Sequence, residues 1–188
     1  MLAGRWPKRC DDDSLPPSWS VAVSWGLAVV RQRFGLGYDS HTFGAKRPLV
    51  LGGVTIPHPT GLAGHSDGDA VAHALCDALL GAAAMGDIGR LFPDTDMRWK
   101  DANSMQLLAE VKRRILAASY VIINVDVTVI TEAPKLSPHA EAMRTNLATA
   151  LGLPTSAVSV KAKTNEKMDD VGAGKGLQVF AIASLGGA

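Results

Sequence analysis

Residues 64–96 of the chain read GHSDGDAVAHALCDALLGAAAMGDIGRLFPDTD. Small and apolar residues fill the middle of this segment, whereas aspartate and glycine mark its two ends. Asp67 is a residue type that caps the start of helices, and Gly86 is suited to the position just past a helix end. The segment therefore predicts one well-buried helix over residues 67–85.

Strand and helix patterns alternate along the rest of the chain. Residues 34–41 are predicted as a strand in which Gly35 and Gly37 permit close backbone approach. Residues 49–56 are predicted as a β-hairpin that turns at Gly52-Gly53. The patterns further predict a loop at 87–101, helices at 104–118 and 137–152, and strands at 121–131, 157–164 and 177–185. In the second of these helices, Ser137 is the expected N-cap and Pro138 the first helical residue. This alternation predicts a single α/β domain.

Composition is that of an ordinary globular protein. The chain has 188 residues, of which 47% are hydrophobic and 20% charged, and its formal net charge is +1. A net charge so close to zero gives no electrostatic sign of a nucleic acid or anionic membrane partner. Cys10 and Cys76 do not form a disulfide framework, so we expect a reducing compartment, the cytoplasm. No apolar run reaches the roughly 18 to 20 residues needed to cross a bilayer.

The first 32 residues are predicted to be an N-terminal extension that is disordered or non-native, with the domain covering residues 33–188. The apolar run 19–30 is short, and three aspartates precede it, which argues against a signal peptide. A tag, a poorly ordered extension, or translation that really starts near Val29 or Val30 would each explain these residues, and the intact mass of the native protein distinguishes the last case. An organellar targeting segment, of the plastid type, is the alternative.

Asp39, His41 and His73 form a candidate metal site. Asp39 and His41 are two residues apart on a predicted strand, so their side chains leave the same face. One carboxylate and two imidazoles suit zinc or another divalent transition metal ion, with the fourth tetrahedral position open. Spacing alone is weak support, because such residues are more often structural. Cys76 is either a competing ligand or a core residue.

Three acidic or anion-binding features have two interpretations each. Asp69 would either orient a ligating histidine or stabilise the start of the helix. Residues 64–69 would either bind an anion at the helix N-terminus, with His65 and Ser66 contacting phosphate, or simply cap the helix. Glu166, after a predicted strand, would either hold Mg²⁺ on phosphate oxygens or be a solvated strand end.

Five segments carry a resemblance to a known family: GYDSHTF (37–43), LGGVTIP (51–57), the 64–96 segment, NVDVTVITEAPKLSPH (124–139) and VKAKTNE (160–166). Together they resemble the 2-C-methyl-D-erythritol 2,4-cyclodiphosphate synthases of the non-mevalonate isoprenoid pathway. The resemblance covers residues 34–185. It implies an α+β type of α/β fold, a small single domain with a mixed β-sheet packed against helices, assembled as a homotrimer whose active sites lie between subunits.

The resemblance also implies roles for individual residues. The zinc ligands of the family correspond to Asp39, His41 and His73, of which the first two also contact substrate. Thr164 and Glu166 correspond to catalytic residues around the substrate diphosphate and its Mg²⁺ or Mn²⁺. The other substrate contacts correspond to His65, Ser66, Asp87, Ile88, Gly89, Phe92, Pro93, Asp94, Thr95, Asp96, Thr131, Glu132, Ala133, Pro134, Lys135, Leu136, Ser137, Lys163 and Asn165.

The implied reaction is the cyclisation of 4-diphosphocytidyl-2-C-methyl-D-erythritol 2-phosphate with release of CMP. The chain departs from the family pattern after Glu166, where some members carry an aromatic residue and an arginine and this chain has Asp170 and Ala173. Lys175 could replace the missing charge.

Two other functions fit the metal site: a phosphohydrolase using metal-bound water, and a trimeric binding or scaffolding protein whose structural zinc has Cys76 as its fourth ligand.

Overall fold

The computed structural model describes residues 31–187, which form alternating strands and helices. In chain order the elements are β1 (Arg31–Ala45), β2 (Leu49–Leu51), β3 (Val54–Ile56), β4 (Gly61–Leu62), α1 (Ala70–Ala82), α2 (Ile88–Leu91), α3 (Ser104–Ala117), β5 (Tyr120–Ile130), α4 (Ala140–Leu151), β6 (Val158–Lys163), α5 (Asp169–Gly172) and β7 (Gly176–Gly187). Single turns of 3-10 helix lie at Met97–Trp99, Ser137–His139 and Thr155–Ala157.

Five strands form one mixed sheet in the order β4-β1-β7-β5-β6. β5 and β6 are parallel, whereas the β4–β1, β1–β7 and β7–β5 pairs are antiparallel. β2 and β3 form a separate hairpin. The expected small α+β domain with a mixed sheet against helices is therefore confirmed.

Helix α1 packs directly on β1 at two glycines. A Cβ atom added to Gly37 would lie 1.8 Å from the carbonyl oxygen of Ala74, and one added to Gly35 would lie 2.0 Å from that of Ala78. Any side chain at these positions would push the helix off the strand. The close approach predicted for the two glycines is confirmed, and it brings the middle of α1 next to Asp39 and His41 on β1.

The core lies between one face of the sheet and the helices. Alternate residues of β5 and β7 point into it, and α1 contributes apolar residues that are fully buried. The opposite face of the sheet is apolar but exposed: Phe34, Leu36 and Tyr38 of β1 stand beside Phe180 and Ile182 of β7. Leu36 pairs with Ile182, and the Tyr38 and Phe180 rings are 5.1 Å apart.

Two predicted helix starts were wrong. Helix α1 begins at Ala70, and its N-cap is Asp69 rather than Asp67, because Asp69 accepts hydrogen bonds from the N–H groups of Val71 and Ala72. Helix α4 begins at Ala140, since residues 137–139 form a 3-10 turn without a side-chain cap. Its predicted end is confirmed at Gly152, which adopts the left-handed conformation.

Other boundaries differ by a few residues. The predicted loop 87–101 contains the short helix α2 and a 3-10 turn, and β4 is a short strand that the sequence patterns did not predict. β1 is longer than predicted at both ends. The β2–β3 hairpin turns at Gly52 and Gly53 as expected, both with positive φ.

Most of the predicted N-terminal extension, residues 1–30, lies outside the described part of the chain. Its last two residues, Arg31 and Gln32, belong to β1 and pair with Gly187 and Gly186 of β7. Among residues 31–187, no helix is long and apolar enough to cross a membrane.

Candidate active site

Three predicted metal ligands converge at the C-terminal half of β1. The Oδ2 atom of Asp39 lies 2.8 Å from Nε2 of His41 and 3.1 Å from Nδ1 of His73. One ligand atom from each residue lies within 4.8 Å of the other two. The alternation of β1 places the first two residues on the helix side of the sheet, and the α1–β1 contact brings the third to them.

A hydrogen bond to the backbone fixes the orientation of the His41 ring. Its Nδ1 atom lies 2.5 Å from the carbonyl oxygen of Ala63. Because a carbonyl oxygen can only accept, Nδ1 carries a proton. The protonated ring therefore donates Nε2–H to Asp39, whereas the neutral ring has its lone pair on Nε2, where a metal ion can bind. A ligating histidine is commonly held this way, with its second nitrogen donating to a backbone carbonyl.

The electrostatic interactions among Asp39, His41 and His73 also suit the binding of a cation. Burial raises the pKa of Asp39, but hydrogen bonds and the charges of His41 and His73 lower it by more, so the pKa lies far below its ordinary value. Burial lowers the pKa of His41, and the adjacent Asp39 raises it by more, to above the ordinary 6.5. Asp39 is therefore ionised at neutral pH, with its carboxylate held against two imidazoles.

The donor set and its spacing fit zinc. Bonds of about 2.0–2.1 Å in tetrahedral geometry would separate the ligand atoms by about 3.3 Å, slightly more than the two measured distances. Three protein ligands with a fourth position open to substrate is the usual pattern of catalytic rather than structural zinc sites. The three residues thus fit the metal that the sequence predicted.

Cys76 and Asp69 have structural positions. Cys76 is fully buried in the core, where burial raises the pKa of its thiol well above the ordinary value, and it does not belong to the ligand trio. The side chain of Asp69 caps α1 and also accepts hydrogen bonds from the N–H groups of Gly52 and Gly53. The core interpretation of Cys76 and the helix-start interpretation of Asp69 are therefore the ones supported.

A small cavity of about 110 Å³ adjoins His73. Predicted substrate contacts make up most of its lining: His65, Ser66, Ile88, Gly89, Phe92 and Asp94. Trp99 and Leu107 also line it, and sequence reasoning missed both. The Phe92 and Trp99 rings meet edge to face at 4.9 Å, so the loop that begins at Phe92 and the 3-10 turn after it form one wall.

The remaining predicted residues of this region lie outside that lining. Asp87 is exposed and caps α2 by accepting the N–H of Arg90. Asp96 caps the 3-10 turn and pairs with Arg98. Pro93 and Thr95 complete the loop between them. Asp77, which was not predicted, accepts the Ile88 N–H at 2.7 Å and so ties α2 to α1.

A second cavity of about 290 Å³ lies at the ends of β5 and β6. Its lining consists mostly of residues predicted to contact substrate, together with the predicted catalytic residue Thr164: Thr131, Glu132, Pro134, Lys135, Leu136, Ser137, Lys163 and Thr164. Ala133 lies within the same loop and accepts a hydrogen bond from Thr131 at 2.7 Å.

The Glu132 carboxylate joins this loop to the one after β6. Its Oε1 atom accepts the N–H groups of Asn165 at 3.1 Å and of Lys167 at 2.8 Å. Beside it, the Thr164 hydroxyl donates to Glu166 at 2.6 Å. Glu166 and Lys167 both have positive φ, which is costly for residues with a side chain. The two hydrogen bonds to Glu132 therefore hold a strained backbone in place.

Lys175, the possible replacement for the missing arginine, pairs with Asp170 at 2.7 Å. Both side chains are exposed, and the hydrogen bond to Asp170, together with the charge of that carboxylate, raises the pKa of Lys175. Asp170 thus offsets the positive charge that the sequence suggested for this loop.

The sequence model of the YgbB family matches residues 32–186. The chain belongs to this family. A curated relative, the 2-C-methyl-D-erythritol 2,4-cyclodiphosphate synthase of Burkholderia ambifaria, is 56% identical over 153 residues, which cover 81% of this chain and 95% of the relative. The resemblance found in the five sequence segments is confirmed.

Solved structures of the YgbB family share the fold. The bifunctional IspDF of Campylobacter jejuni matches with a TM-score of 0.82 and 43% identity, covering 85% of this chain and 43% of that longer one. A 2C-methyl-D-erythritol-2,4-cyclodiphosphate synthase in a CDP-bound form matches with a TM-score of 0.75 and 40% identity, covering 81% and 99% of the two chains.

Proposed function

We propose that the chain cyclises 4-diphosphocytidyl-2-C-methyl-D-erythritol 2-phosphate to 2-C-methyl-D-erythritol 2,4-cyclodiphosphate and releases CMP. The observation that carries this proposal is the convergence of Asp39, His41 and His73 beside a cavity lined by His65 and Ser66. An oxygen of the 2-phosphate forms a bond to the β-phosphorus, and the bond from that phosphorus to the bridging oxygen of CMP breaks. Atoms and charge balance without a further reactant, which makes the enzyme a phosphorus–oxygen lyase.

Attacker and target belong to one molecule, so the task of the protein is alignment and charge stabilisation. Well-oriented intramolecular reactions reach effective molarities of about 10⁵–10⁸ M. Asp39, His41 and His73 would hold zinc, which when bound withdraws charge from a β-phosphate oxygen. His65 and Ser66, at the wall of the first cavity, are placed to bind a phosphate.

Thr164 and Glu166 are proposed to act on the diphosphate from the other side. The Thr164 hydroxyl can donate to an oxygen of the in-line transition state. The exposed Glu166 carboxylate can bind Mg²⁺ or Mn²⁺, since these ions prefer oxygen ligands. The cavity lined by residues 131–137 would hold the cytosine and fix the nucleotide end of the substrate.

Strand order supports an active site shared between subunits. β1 carries two of the zinc ligands and β6 leads to Thr164, and the strands β7 and β5 lie between them. Three inter-strand spacings place β1 and β6 about 14 Å apart within one chain. One diphosphate cannot bridge that distance, so the 131–137 and 164–166 loops of a neighbouring copy would complete each zinc site.

The exposed apolar face of the sheet supports the homotrimer. Phe34 and Leu36 are each 66% exposed, and Tyr38, Phe180 and Ile182 extend the same surface. A contiguous apolar surface of this kind marks a protein interface. If three copies packed these faces around one axis, the faces would be buried and the edge of each sheet would lie beside the next copy.

Location in the cytoplasm, or in a plastid-type organelle if residues 1–32 are a targeting segment, stays a prediction.

Incubating the pure protein with the cytidyl substrate, Zn²⁺ and Mg²⁺ tests the reaction against both rivals. Cyclisation yields CMP and the cyclic diphosphate without free phosphate, as measured by ³¹P NMR. A phosphohydrolase would release inorganic phosphate, and a scaffolding protein would leave the substrate intact. Either result, from folded protein with metal bound, would overturn the proposal.

The variant His73→Ala separates the metal site from the fold. We expect it to lose stoichiometric zinc and CMP formation while keeping the oligomeric state, because the core does not depend on the site. One zinc per chain retained in this variant, measured by elemental analysis after dialysis, would show that the ligand assignment is wrong.

A further inference from the structure

We propose that Ser104, supported by Asp67, positions His73 for metal binding. Neither residue was predicted to belong to the site, and both lie beyond the ligand trio. The inference rests on the proposed zinc site and deepens it, because it explains how the one ligand that comes from a helix is held at a fixed rotation.

Ser104 meets His73 from a different helix. It is the first residue of α3 and is fully buried. Its Oγ atom lies 2.9 Å from Nε2 of His73, the ring nitrogen that points away from Asp39. One polar contact between α1 and α3 therefore involves the imidazole, and the orientation of the ring depends on where α3 begins.

Asp67 fixes Ser104 through both its backbone and its side chain. One carboxylate oxygen accepts the Ser104 N–H at 3.0 Å, and the other accepts the Ser104 hydroxyl at 2.5 Å. The second oxygen also accepts the N–H of Asp69 at 3.1 Å. Asp67 thus links the loop before α1 to the first residue of α3, and the Ser104 side chain cannot rotate without losing this bond.

The direction of these hydrogen bonds determines the tautomer of His73. An ionised carboxylate only accepts, so the single hydroxyl proton of Ser104 points to Asp67. Ser104 can then offer only a lone pair to His73, and Nε2 must carry the proton. In the neutral imidazole, Nδ1 then has the lone pair on the side of Asp39 and His41, and this is the form that ligates a metal. Such outer hydrogen-bond partners commonly contribute 10- to 100-fold to metal affinity.

Ser66 is a weaker second acceptor for the same proton. Its Oγ atom lies 3.0 Å from Nε2 of His73 and 3.2 Å from Oγ of Ser104. Since Ser66 also lines the first cavity, substrate can compete for its hydroxyl. Ser104 does not line that cavity, and its bond to Asp67 is independent of substrate. We therefore assign the main positioning role to Ser104.

Zinc affinity of the purified full-length chain tests this inference. The variants are Ser104→Ala, the double variant Ser66→Ala/Ser104→Ala, and Asn103→Ala as a matched control. Asn103 caps the same helix through the N–H groups of Met105 and Gln106 and makes no hydrogen bond to His73. Competition with a chromogenic chelator gives the dissociation constant, the visible spectrum of the Co²⁺-loaded protein reports ligand geometry, and thermal unfolding of the metal-free protein reports stability.

We expect Ser104→Ala to weaken zinc binding about 10-fold and the double variant about 100-fold, with an altered Co²⁺ spectrum. Asn103→Ala should lower the unfolding temperature but leave affinity and spectrum unchanged. Wild-type affinity and spectrum in both serine variants would overturn the positioning role. Failure of the wild-type chain to bind zinc at all would instead contradict the proposed metal site, so the two outcomes are distinguishable.

Discussion

Asp69 lies fully buried where α1 meets the β2–β3 hairpin, and its carboxylate accepts four backbone N–H groups. Two belong to the first turn of the helix and two to Gly52 and Gly53 in the hairpin turn. A carboxylate offers lone pairs on both oxygens, whereas an amide would turn N–H groups toward at least one donor. Asp69 is thus a structural residue that caps the helix and also holds the hairpin turn in place.

Asp69→Asn should therefore lower the free energy of unfolding by about 2–4 kcal/mol, combining a weakened cap with a buried N–H left unpaired. Urea denaturation followed by circular dichroism measures the change. Asn103→Ala, which removes a cap that serves one helix only, should cost about 1 kcal/mol. Equal losses in the two variants would contradict the double role of Asp69.

Because of the Asp39–His41 pair, we expect rising pH to weaken the stability of the metal-free fold and to strengthen zinc binding. Without metal, the raised pKa of His41 means that its pairing with Asp39 stabilises the fold below the pKa of the unfolded chain and is lost as pH rises through the folded pKa. Zinc requires the neutral imidazole, so it binds more weakly as pH falls through the same pKa.

The rise in unfolding temperature on adding zinc should accordingly grow between about pH 5.5 and pH 8, which differential scanning calorimetry measures. The His41→Ala variant should show a small and nearly pH-independent rise. A zinc effect that is constant over this range in the wild-type chain would show that His41 is not a ligand.

Glu132 connects the loop that follows β5 to the loop that follows β6. Two backbone N–H groups of the second loop depend on its Oε1 atom, and the backbone around Glu166 is strained. Removing the carboxylate should let residues 164–167 relax away from the positions that Thr164 and Glu166 need, and a displacement of about 1 Å costs on the order of 100-fold in rate.

Glu132→Ala should lower kcat for CMP formation by about 10- to 100-fold, with little change in unfolding temperature. Glu132→Gln keeps an oxygen that can accept both N–H groups, and it should retain most of the activity. If the alanine variant were as active as the glutamine variant, the hydrogen bonds to the loop would have no role in catalysis.

At the scale of the whole molecule, the proposed trimer would assemble through the sheet face that the helices leave uncovered. Leu36 lies in the middle of that face and pairs across strands with Ile182. A carboxylate placed there would have to be desolvated in any packed trimer, at a cost that the interface cannot offset. We expect Leu36→Asp to give a smaller species than wild type in size-exclusion chromatography with light scattering. It should also lose CMP formation, because in the proposed trimer each site is completed by a neighbouring copy.

Leu116→Asp is the matched control, because Leu116 is an exposed leucine on α3 rather than on the sheet. It should assemble and react as the wild-type chain does. A trimer retained by Leu36→Asp would show that the exposed face is not the subunit interface.

Local sequence patterns correctly predicted those features of the fold that depend on residues close together in the chain. Alternation along β1 put Asp39 and His41 on one face, Gly52-Gly53 marked the hairpin turn, and Gly152 ended α4 in the left-handed conformation. Each of these depends on neighbours a few residues away. The sequence segments shared with the YgbB family added the predicted substrate contacts, which no spacing rule could have assigned.

Only the tertiary structure decided which of two good caps starts α1. Asp67 and Asp69 are equivalent by propensity, but the hairpin N–H groups reach Asp69 and the start of α3 reaches Asp67. The position of His73 against Asp39, and of Ser104 against His73, likewise depends on how helices pack on the sheet. Contacts between residues more than thirty positions apart leave no periodic trace in the sequence, because they are set by packing rather than by local backbone geometry. The three proposed metal ligands could therefore be named from the sequence, whereas the two residues proposed to hold one of them in place required the fold.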